Sequence, residues 1–586
     1  MRTALILAAL TAALYLPRLG TAPVYISPDE VVVALNAHAI ATTGRDTSGR
    51  LLPLYFEYKY PGPFINGHGT TRSGWLPPMI FYATAAVFEV LPVSETIVRL
   101  PTALIGILNV VLAYLVGRRL FRSEPVAIAS AMFLALTPTH FIHSRFAMDY
   151  IYPLPFVLAW MLWLLDYFES NRPRMLLMST AALGIGMFSY IAATVIMPML
   201  LLTTWVALLW ERKPVRAYGI AAAGFLIPAL LYVPWLVSHP SGGGDVLAKY
   251  EINSAAGISA LFTFHRIGDL LGRLWTFYDP RFLFFDGPME LMYSTREVGV
   301  FLLPLAPLLV AGLWAIVRGP LTGARLLLIG GLIVSPLPAT ILVTTDAIYR
   351  ALELLPCAVL LSGLGVQLLW SASTAAPPRR AVLATGVAVA GLAVAYTGAF
   401  VLLRGRLPGS LPWFVVAAIM CLALGWLAPR FRLGQLVVLG LVAVMPLQFA
   451  TFYRDYMTNY RLRTLSVFSG NIRGAAEEAI RQADTGTAPI YLGRIGPYGK
   501  GGSYWPFFLL KYGRSDLAAR TLDVGTFEAD RVLQLPPGSV IVNNAGEGET
   551  DAAIDRLVAA GQVSRTPVRE PDGAAAFWVL RRTMKS

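Results

Sequence analysis

Charged residues are scarce in this chain. They make up 14% of its 586 residues, whereas hydrophobic residues make up 56%, and the mean hydropathy is +0.60. This balance is typical of an integral membrane protein and excludes an ordinary soluble domain. The formal net charge is +13, but the basic residues lie in short clusters between apolar runs, which is a pattern of membrane topology. We therefore expect no nucleic-acid partner.

Cysteine is nearly absent, and several functional signatures are missing. Cys357 and Cys421 both fall within apolar runs, so we interpret them as packing residues and expect no disulfide. The six histidines show no HExxH motif or other tight ligand spacing, which disfavours a metal site built from histidine. We find no internal repeat. The first apolar run has no convincing cleavage site, so we interpret it as a retained membrane span.

Apolar runs long enough to cross a membrane, roughly 20 residues each, recur along the chain. We predict about thirteen spans, at 3–20, 98–117, 126–143, 151–168, 175–190, 192–210, 217–238, 298–317, 324–344, 350–370, 381–402, 412–428 and 434–452. The segment 75–91 is apolar but short and carries paired prolines, so we place it as an interfacial or re-entrant helix. With the N-terminus inside, fifteen cations lie in inner short loops and four in outer ones, as the positive-inside rule demands.

Three large pieces of the chain then lie on the outer side: 21–97, 239–297 and the tail 453–586. In the tail, the patterns favour one helix at Gly474–Ala483 and strands at Ala488–Arg494, Ser539–Asn543 and Ala575–Arg581. We therefore predict an all-α polytopic membrane protein with a membrane domain at 1–452, whose site is formed by the outer loops 21–97 and 239–297. A small extracytoplasmic α/β domain, the tail domain, follows at 453–586.

Two adjacent carboxylates, Asp29 and Glu30, follow the first predicted span. A carboxylate beside an acceptor hydroxyl can remove its proton as a general base. Arginines near the ends of later spans suit a phosphate leaving group, because the guanidinium binds two phosphate oxygens at once. The combination favours group transfer from a lipid-linked phosphate, with inversion if the group is a sugar. The alternative is that Asp29 only caps the helix that begins there and that Glu30 favours its N-terminus.

Several motifs, in order, resemble the membrane-embedded GT-C type glycosyltransferases. The resemblance is closest to the branch with protein O-mannosyltransferases and lipid A aminoarabinose transferases, and it covers about residues 1–370. Its segments are Tyr25-x-x-x-Asp29-Glu30, Trp75-Leu76-Pro77-Pro78 within His68–Tyr82, Val98–Leu104, Ser144–Asp149, Phe282–Gly299, and Tyr349–Leu352 with Leu355-Pro356. The chain departs at Leu76, where the branch has Lys or His, and at Tyr293-Ser294, where relatives often have His-Ser.

The resemblance implies a polyprenyl-phosphate sugar donor and an inverting mechanism with Asp29 as the base. It implies that Arg99, Arg145 and Arg350 face the donor phosphate. Further candidates for donor or acceptor binding are Glu30, His68, Arg72, Asp149, His265 and Arg296, of which His68 or Arg72 would replace the cation missing at Leu76. No cofactor is certain, and a divalent metal stays open.

The acceptor is a protein, a lipid or a glycan, and the sequence does not choose between them. We expect a multi-pass protein of the cell membrane, in contact with its lipids, whose catalytic face and tail domain are extracytoplasmic. A transporter or flippase of lipid-linked sugars is the alternative. Transporters usually show internal repeats and ionisable residues near the membrane midplane, and the sequence shows neither.

Overall fold

The structure is a computed structural model of the chain. It describes residues 1–65, 68–239, 264–341, 347–371, 433–484, 486–493, 501–525 and 529–583, with scattered positions between 391 and 405. The side chains of 59–73, 264–266, 433, 501–503, 525, 529 and 530 lie outside this description.

Helices dominate the membrane domain. They run over Arg2–Tyr15, Pro28–Thr43, Met79–Phe88, Glu95–Phe121, Glu124–Ala135, Pro138–His143, Leu154–Ser170, Pro173–Gly186, Ala193–Trp210, Val215–Ala229, Tyr232–Ser238, Phe264–Thr276, Leu305–Arg318, Gly323–Val334, Leu337–Ile341, Leu354–Ser371 and Leu433–Met457. Short 3₁₀ turns lie at Asp149–Ile151 and Ile348–Arg350, and a π-helical turn lies at Phe282–Asp286.

Six segments within the described residues are long and apolar enough to cross a membrane. They are Glu95–Phe121, Asp149–Ser170, Ala193–Trp210, Gly323–Ile341, Leu354–Ser371 and Gly434–Met457, and the pair Val215–Ala229 and Tyr232–Ser238, bent by 44°, makes a seventh if it counts as one span. The chain is therefore a multi-pass membrane protein.

The prediction of thirteen spans is not confirmed. The predicted run 126–143 is broken in the structure, where Glu124–Ala135 ends and a new helix begins at Pro138. Because proline lacks an N–H and clashes with the preceding turn, it favours such a break. Other predicted spans, such as 3–20, contain helices of 10–17 residues. The predicted spans 381–402 and 412–428 lie almost entirely outside the described residues.

Close helix packing depends on small residues. A Cβ added at Gly312 would collide with the carbonyl of Leu361, and one added at Gly184 would collide with the carbonyl of Phe225. Two helix pairs, Leu305–Arg318 with Leu354–Ser371 and Pro173–Gly186 with Val215–Ala229, therefore approach backbone to backbone, as membrane helices commonly do.

The first outer loop contains a β-hairpin that the sequence patterns did not predict. Strands Phe56–Ile65 and His68–Leu76 pair antiparallel, with Tyr58 opposite Gly74. The aromatic ring of Tyr58 occupies the space that a Cβ at Gly74 would need. The short helix Met79–Phe88 follows, within the segment expected to be interfacial, and at ~1.5 Å per residue its ten residues are too few to span a bilayer.

The tail domain contains a mixed five-stranded sheet. Its strand order is Thr521–Gly525, Ile490–Gly493, Val540–Asn544, Ala575–Arg582 and Val563–Arg569, of which the first three run parallel. Helices lie at Asn459–Arg463, Ile472–Ala483, Gly501–Lys511, Ala529–Val532 and Gly548–Ala559, and a 3₁₀ helix lies at Ser515–Arg520. The three predicted strands and the predicted helix are present, and two strands were missed.

Candidate active site

A cavity of about 170 Å³ opens beside the helix Pro28–Thr43, and we call it the central cavity. Its charged lining residues are Asp29, Asp149 and Arg350. The remaining lining residues are Val32, Val33, Tyr58, Leu76, Ile80, Phe81, Met148, Tyr150, Tyr190, Ile191 and Tyr349. Residues from widely separated parts of the chain thus place two carboxylates and one guanidinium around one small space.

A capping box fixes the start of the helix that carries Asp29. The backbone N–H of Glu30 donates to the Ser27 hydroxyl (3.2 Å), and the Ser27 N–H donates to the Glu30 carboxylate (2.9 Å). Pro28 occupies the first turn, where its missing N–H costs no hydrogen bond. Asp29 lies in this same turn and is exposed at the cavity. The helix N-terminus is a favourable environment for its carboxylate.

Glu30 lies on the other side of this turn and is fully buried. Its two carboxylate oxygens accept hydrogen bonds from Arg99, at 2.7 Å from Nε and 2.9 Å from Nη2. The backbone N–H of Ala147 also donates to Glu30, at 3.0 Å. Glu30 therefore anchors the start of this helix through Arg99 and Ala147, and its contact with donor or acceptor stays a prediction.

Arg99 is fully buried and directs no N–H group into the central cavity. Besides Glu30, its guanidinium donates to the carbonyls of Leu19 (3.0 Å), Pro23 (3.0 Å) and Tyr25 (2.6 Å). These bonds engage all five N–H groups of the side chain. Arg99 therefore holds the segment before Asp29 in this structure, and its contact with a donor phosphate stays a prediction.

Arg145 has a similar position. Its guanidinium donates to the carbonyls of Tyr15, Pro17 (2.8 Å) and Ala22 (2.9 Å), and the side chain is fully buried. It also lies over the ring of Phe141, at 5.2 Å from the centroid. Like Arg99, it does not line the central cavity, and its contact with a donor phosphate stays a prediction. We call residues 16–27, which these two arginines hold, the connecting loop.

Arg350 alone of the three arginines expected to face a donor phosphate lines the central cavity. It ends the 3₁₀ turn Ile348–Arg350, and its guanidinium lies 5.3 Å from the ring centroid of Tyr349. Asp149 also lines the cavity, as expected for a site residue. Their chemical roles stay predictions.

Of the remaining candidates, Arg296 has a described side chain. Arg296 donates to the carbonyl of Met289 and does not line the central cavity. His68 and Arg72 lie on the second strand of the hairpin, and His265 lies in the helix Phe264–Thr276. The side chains of these three residues are outside the described part of the structure.

A group of tyrosines at the cavity was missed from the sequence. Tyr349 packs against Tyr150 (ring centroids 4.9 Å apart) and Tyr293 (4.6 Å), and the hydroxyls of Tyr150 and Tyr293 are 3.2 Å apart. Burial raises the pKa of Tyr293 and of Tyr349, so these phenols remain hydrogen-bond donors. The sequence feature that could have indicated this group is Tyr293-Ser294, which departs from the His-Ser of relatives and places an aromatic hydrogen-bond donor where histidine is expected.

The described residues contain no group of three or more His, Cys, Asp or Glu side chains suited to hold a metal ion. The central cavity offers two carboxylates, Asp29 and Asp149. A divalent metal therefore stays a prediction.

An apolar groove of about 660 Å³ adjoins the central cavity. Its lining residues are Met79, Ala83, Ile105, Leu108, Leu112, Tyr152, Pro155, Phe156, Ala159, Leu162, Trp163, Met178, Ala181, Ala182 and Ile185. The helix Met79–Phe88 separates the two spaces, because Ile80 and Phe81 line the cavity while Met79 and Ala83 line the groove. A polar site and an apolar channel thus share one wall.

Comparison with known proteins agrees with this architecture. Residues 76–237 match the family described as dolichyl-phosphate-mannose-protein mannosyltransferase. No curated protein matches the chain by sequence.

Solved structures of ArnT from Cupriavidus metallidurans are similar in fold. The structure bound to undecaprenyl phosphate is 16% identical and covers 98% of this chain and 97% of its own, with a TM-score of 0.55. The apo structure is 15% identical over the same shares, with a TM-score of 0.54. At this identity the likeness establishes the fold. The family match and the shared fold together support a GT-C type membrane glycosyltransferase, as the motifs predicted.

Proposed function

We propose that the protein transfers a sugar from a polyprenyl-phosphate donor to an acceptor hydroxyl, with inversion, at the extracytoplasmic face of the membrane. One observation carries the proposal: Asp29 and Arg350 line a single small cavity that shares a wall with an apolar groove. A base, an anion-binding cation and a channel for a hydrocarbon chain are the parts that this reaction needs.

The step follows from the charges at the cavity. Asp29 takes the proton of the acceptor hydroxyl, whose oxygen forms a bond to the anomeric carbon of the sugar. The bond from that carbon to the phosphate oxygen breaks, and polyprenyl phosphate leaves with the electron pair. Arg350 stabilises the negative charge that grows on the phosphate, because a fixed cation needs no reorganisation as the charge develops. One displacement from the face opposite the leaving group inverts the anomeric carbon.

The apolar groove supplies a place for the polyprenyl chain. It is lined almost entirely by apolar side chains from the helices Met79–Phe88, Glu95–Phe121, Leu154–Ser170 and Pro173–Gly186. Because the chain comes from lipid that is as apolar as the groove, its binding would depend on van der Waals packing against these side chains and not on removal from water. The undecaprenyl phosphate bound to ArnT, a protein of similar fold, supports a donor of this class.

The proposed sidedness rests on the two ends of the long helix Glu95–Phe121. Near its C-terminal end, exposed Arg119 pairs with Asp166 (2.8 Å) and Glu169 (3.3 Å), and Arg122 pairs with Glu169 (3.0 Å). The positive-inside rule counts Arg and Lys, so Arg119 and Arg122 favour an inner position for this end. The N-terminal end of the same helix lies beside the connecting loop, which supports an outer position for Asp29.

The test uses purified protein in lipid nanodiscs with a panel of radiolabelled polyprenyl-phosphate sugars and with peptide, glycolipid and glycan acceptors. We expect the wild type to release polyprenyl phosphate, even as slow hydrolysis without acceptor, and Asp29→Asn to release it at least about 100-fold more slowly. Glu89→Gln is the control, since Glu89 is an exposed carboxylate that does not line the cavity. In parallel proteoliposomes, movement of donor across the bilayer without release would overturn the transferase and favour the flippase.

A further inference from the structure

The tail domain contacts the connecting loop that leads to Asp29. The Tyr25 hydroxyl donates a 2.6 Å hydrogen bond to Oε2 of Glu570, although the two residues are 545 positions apart in the chain. Tyr25 is 5% exposed and precedes Asp29 by four residues. Burial and the Glu570 carboxylate raise the pKa of Tyr25, so its phenol remains the donor in this bond.

Glu570 is itself held in place within the tail domain. Its Oε1 accepts a hydrogen bond from the backbone N–H of Asn471 (2.8 Å), and its own N–H donates to the carbonyl of Ala574 (2.7 Å). The Asn471 side chain in turn caps the helix Ile472–Ala483 by accepting from the N–H of Gly474. The carboxylate that receives Tyr25 is therefore part of the rigid frame of the tail domain.

Further polar contacts connect the same two regions. The Arg473 guanidinium donates to the carbonyl of Gly20 (3.0 Å) and to the carboxylate of Glu95 (2.7 Å). Lys511 also reaches Glu95, at 3.1 Å. Because Glu95 is 5% exposed and has two cationic partners from the tail domain, this is a partly buried ionic contact and not a loose surface pair.

Apolar packing completes the interface. Ile26, Val31 and Ala34, which flank or follow Asp29, belong to one buried cluster with Tyr504 and Phe508 of the tail domain. The helix carrying Asp29 thus packs directly against the helix Gly501–Lys511.

The connecting loop is consequently held on two sides. On the membrane side, Arg99 and Arg145 bind its backbone carbonyls, and on the other side the tail domain binds Gly20 and the Tyr25 side chain. A displacement of about 1 Å in a reacting group is enough to cost on the order of 100-fold in rate. We propose that the tail domain is a positioning element of the transferase site, which acts on Asp29 through the Glu570–Tyr25 hydrogen bond. This inference rests on the proposed function.

The experiment removes that bond with Tyr25→Phe and weakens it with Glu570→Gln, which loses the charge and leaves one amide oxygen for the two donors Tyr25 and Asn471, and it includes the double variant. We expect each single variant to lower the kcat of polyprenyl phosphate release by about 10-fold, with the donor KM and the thermal unfolding midpoint nearly unchanged. We expect the double variant to lose no more than Tyr25→Phe alone, because Tyr25→Phe already removes the interaction that Glu570→Gln weakens. The matched control is Tyr512→Phe, which removes a Tyr–Glu hydrogen bond to Glu477 within the tail domain.

Hydrogen exchange separates this inference from the proposed function. Backbone amides of residues 16–30 should exchange faster in Tyr25→Phe and Glu570→Gln than in the wild type, and should be unchanged in Tyr512→Phe. Rates within twofold of the wild type, or losses that multiply in the double variant, would overturn the positioning role. If the wild type releases no polyprenyl phosphate from any donor, the proposed transferase function is rejected. In that case the exchange data still test the contact between the tail domain and the connecting loop, and unchanged exchange in residues 16–30 would reject it as well.

Discussion

Asp29 and Glu30 are neighbours in sequence and belong to two different regions of the molecule. Asp29 is exposed at the central cavity, whereas Glu30 is fully buried beneath it in an ion pair with Arg99. A helix turns by about 100° per residue, so consecutive side chains point in different directions. The difference teaches that the acidic pair is not a catalytic dyad: one carboxylate is available for chemistry and the other maintains the structure that presents it.

The strongest test of this contrast is the loss of activity without loss of fold. Asp29→Asn should lower kcat by a factor on the order of 10²–10⁴, the usual contribution of a general base. Its thermal unfolding midpoint should stay close to that of the wild type, because Asp29 is exposed. Turnover measured beside the unfolding curve checks both claims, and near-normal transfer by folded Asp29→Asn would remove this residue as the base.

The reverse pattern is expected for the buried carboxylate. Glu30→Ala leaves the Arg99 guanidinium buried without its counter-charge, which should destabilise the fold by ~3–5 kcal/mol. We expect a lowered unfolding midpoint and a low yield of folded protein. The comparison variant is Arg481→Ala, which breaks the exposed pair with Glu478 and should leave the midpoint unchanged. A stable Glu30→Ala protein would contradict the structural role.

Arg350 and Arg99 should differ in the same way as Asp29 and Glu30, with one substitution affecting activity and the other affecting stability. Arg350→Ala should lower kcat and raise the donor KM, with a combined loss in kcat/KM of about 10- to 100-fold, the range for loss of a charge-assisted hydrogen bond, without a large change in stability. Arg99→Lys keeps the charge but cannot make five hydrogen bonds in a fixed fork, so it should lower stability instead. Donor titrations and unfolding curves on both variants check the split. Equal effects of Arg350→Ala and Arg99→Lys on donor KM would show that the two arginines do not have these separate roles.

The smallest effect is expected in the apolar groove. Ala181→Leu should raise the KM of a long-chain polyprenyl donor several-fold, because the larger side chain fills part of the space for the hydrocarbon. A donor with a short isoprenoid chain should be affected less. The control is Ala223→Leu, an exposed position on a helix that does not line the groove. Equal effects on long and short donors would argue against the groove as the binding site of the chain.

The sequence led to Asp29 because the position of the acidic pair after the first apolar run is a local feature. The sequence could not predict the contacts of Arg99, since the carbonyls that this side chain binds come from residues 19–25, about 75–80 positions earlier in the chain. Sequence position shows that an arginine lies near a span end, but not whether it faces a cavity or a buried loop. That choice is a property of the tertiary structure.

Prediction of the fold from the sequence has the same limit, because local patterns are recognised and features that depend on tertiary structure are missed. Tail strands with alternating or continuous apolar residues, such as Val540–Asn544, were predicted well. The hairpin in the first outer loop was missed, because Pro61 and Pro63 lie within its first strand and proline disfavours a strand interior. The structure accommodates these prolines with a register shift between Pro61 and Phe64. The span count is not confirmed, because prolines such as Pro138 divide apolar runs that hydropathy alone joined and because two predicted spans lie almost entirely outside the described residues.

The two buried arginines bind the connecting loop through main-chain carbonyls and not through its side chains. Every amino acid has the same main-chain carbonyl, so these hydrogen bonds do not depend on which residues occupy the bound positions. Loop positions held only by these carbonyl bonds can therefore change their side chains without altering the path of the loop, as long as the two guanidinium groups are kept. Tyr25, Ile26 and Ser27 also make side-chain contacts, so tolerance of substitution should differ from position to position along the loop.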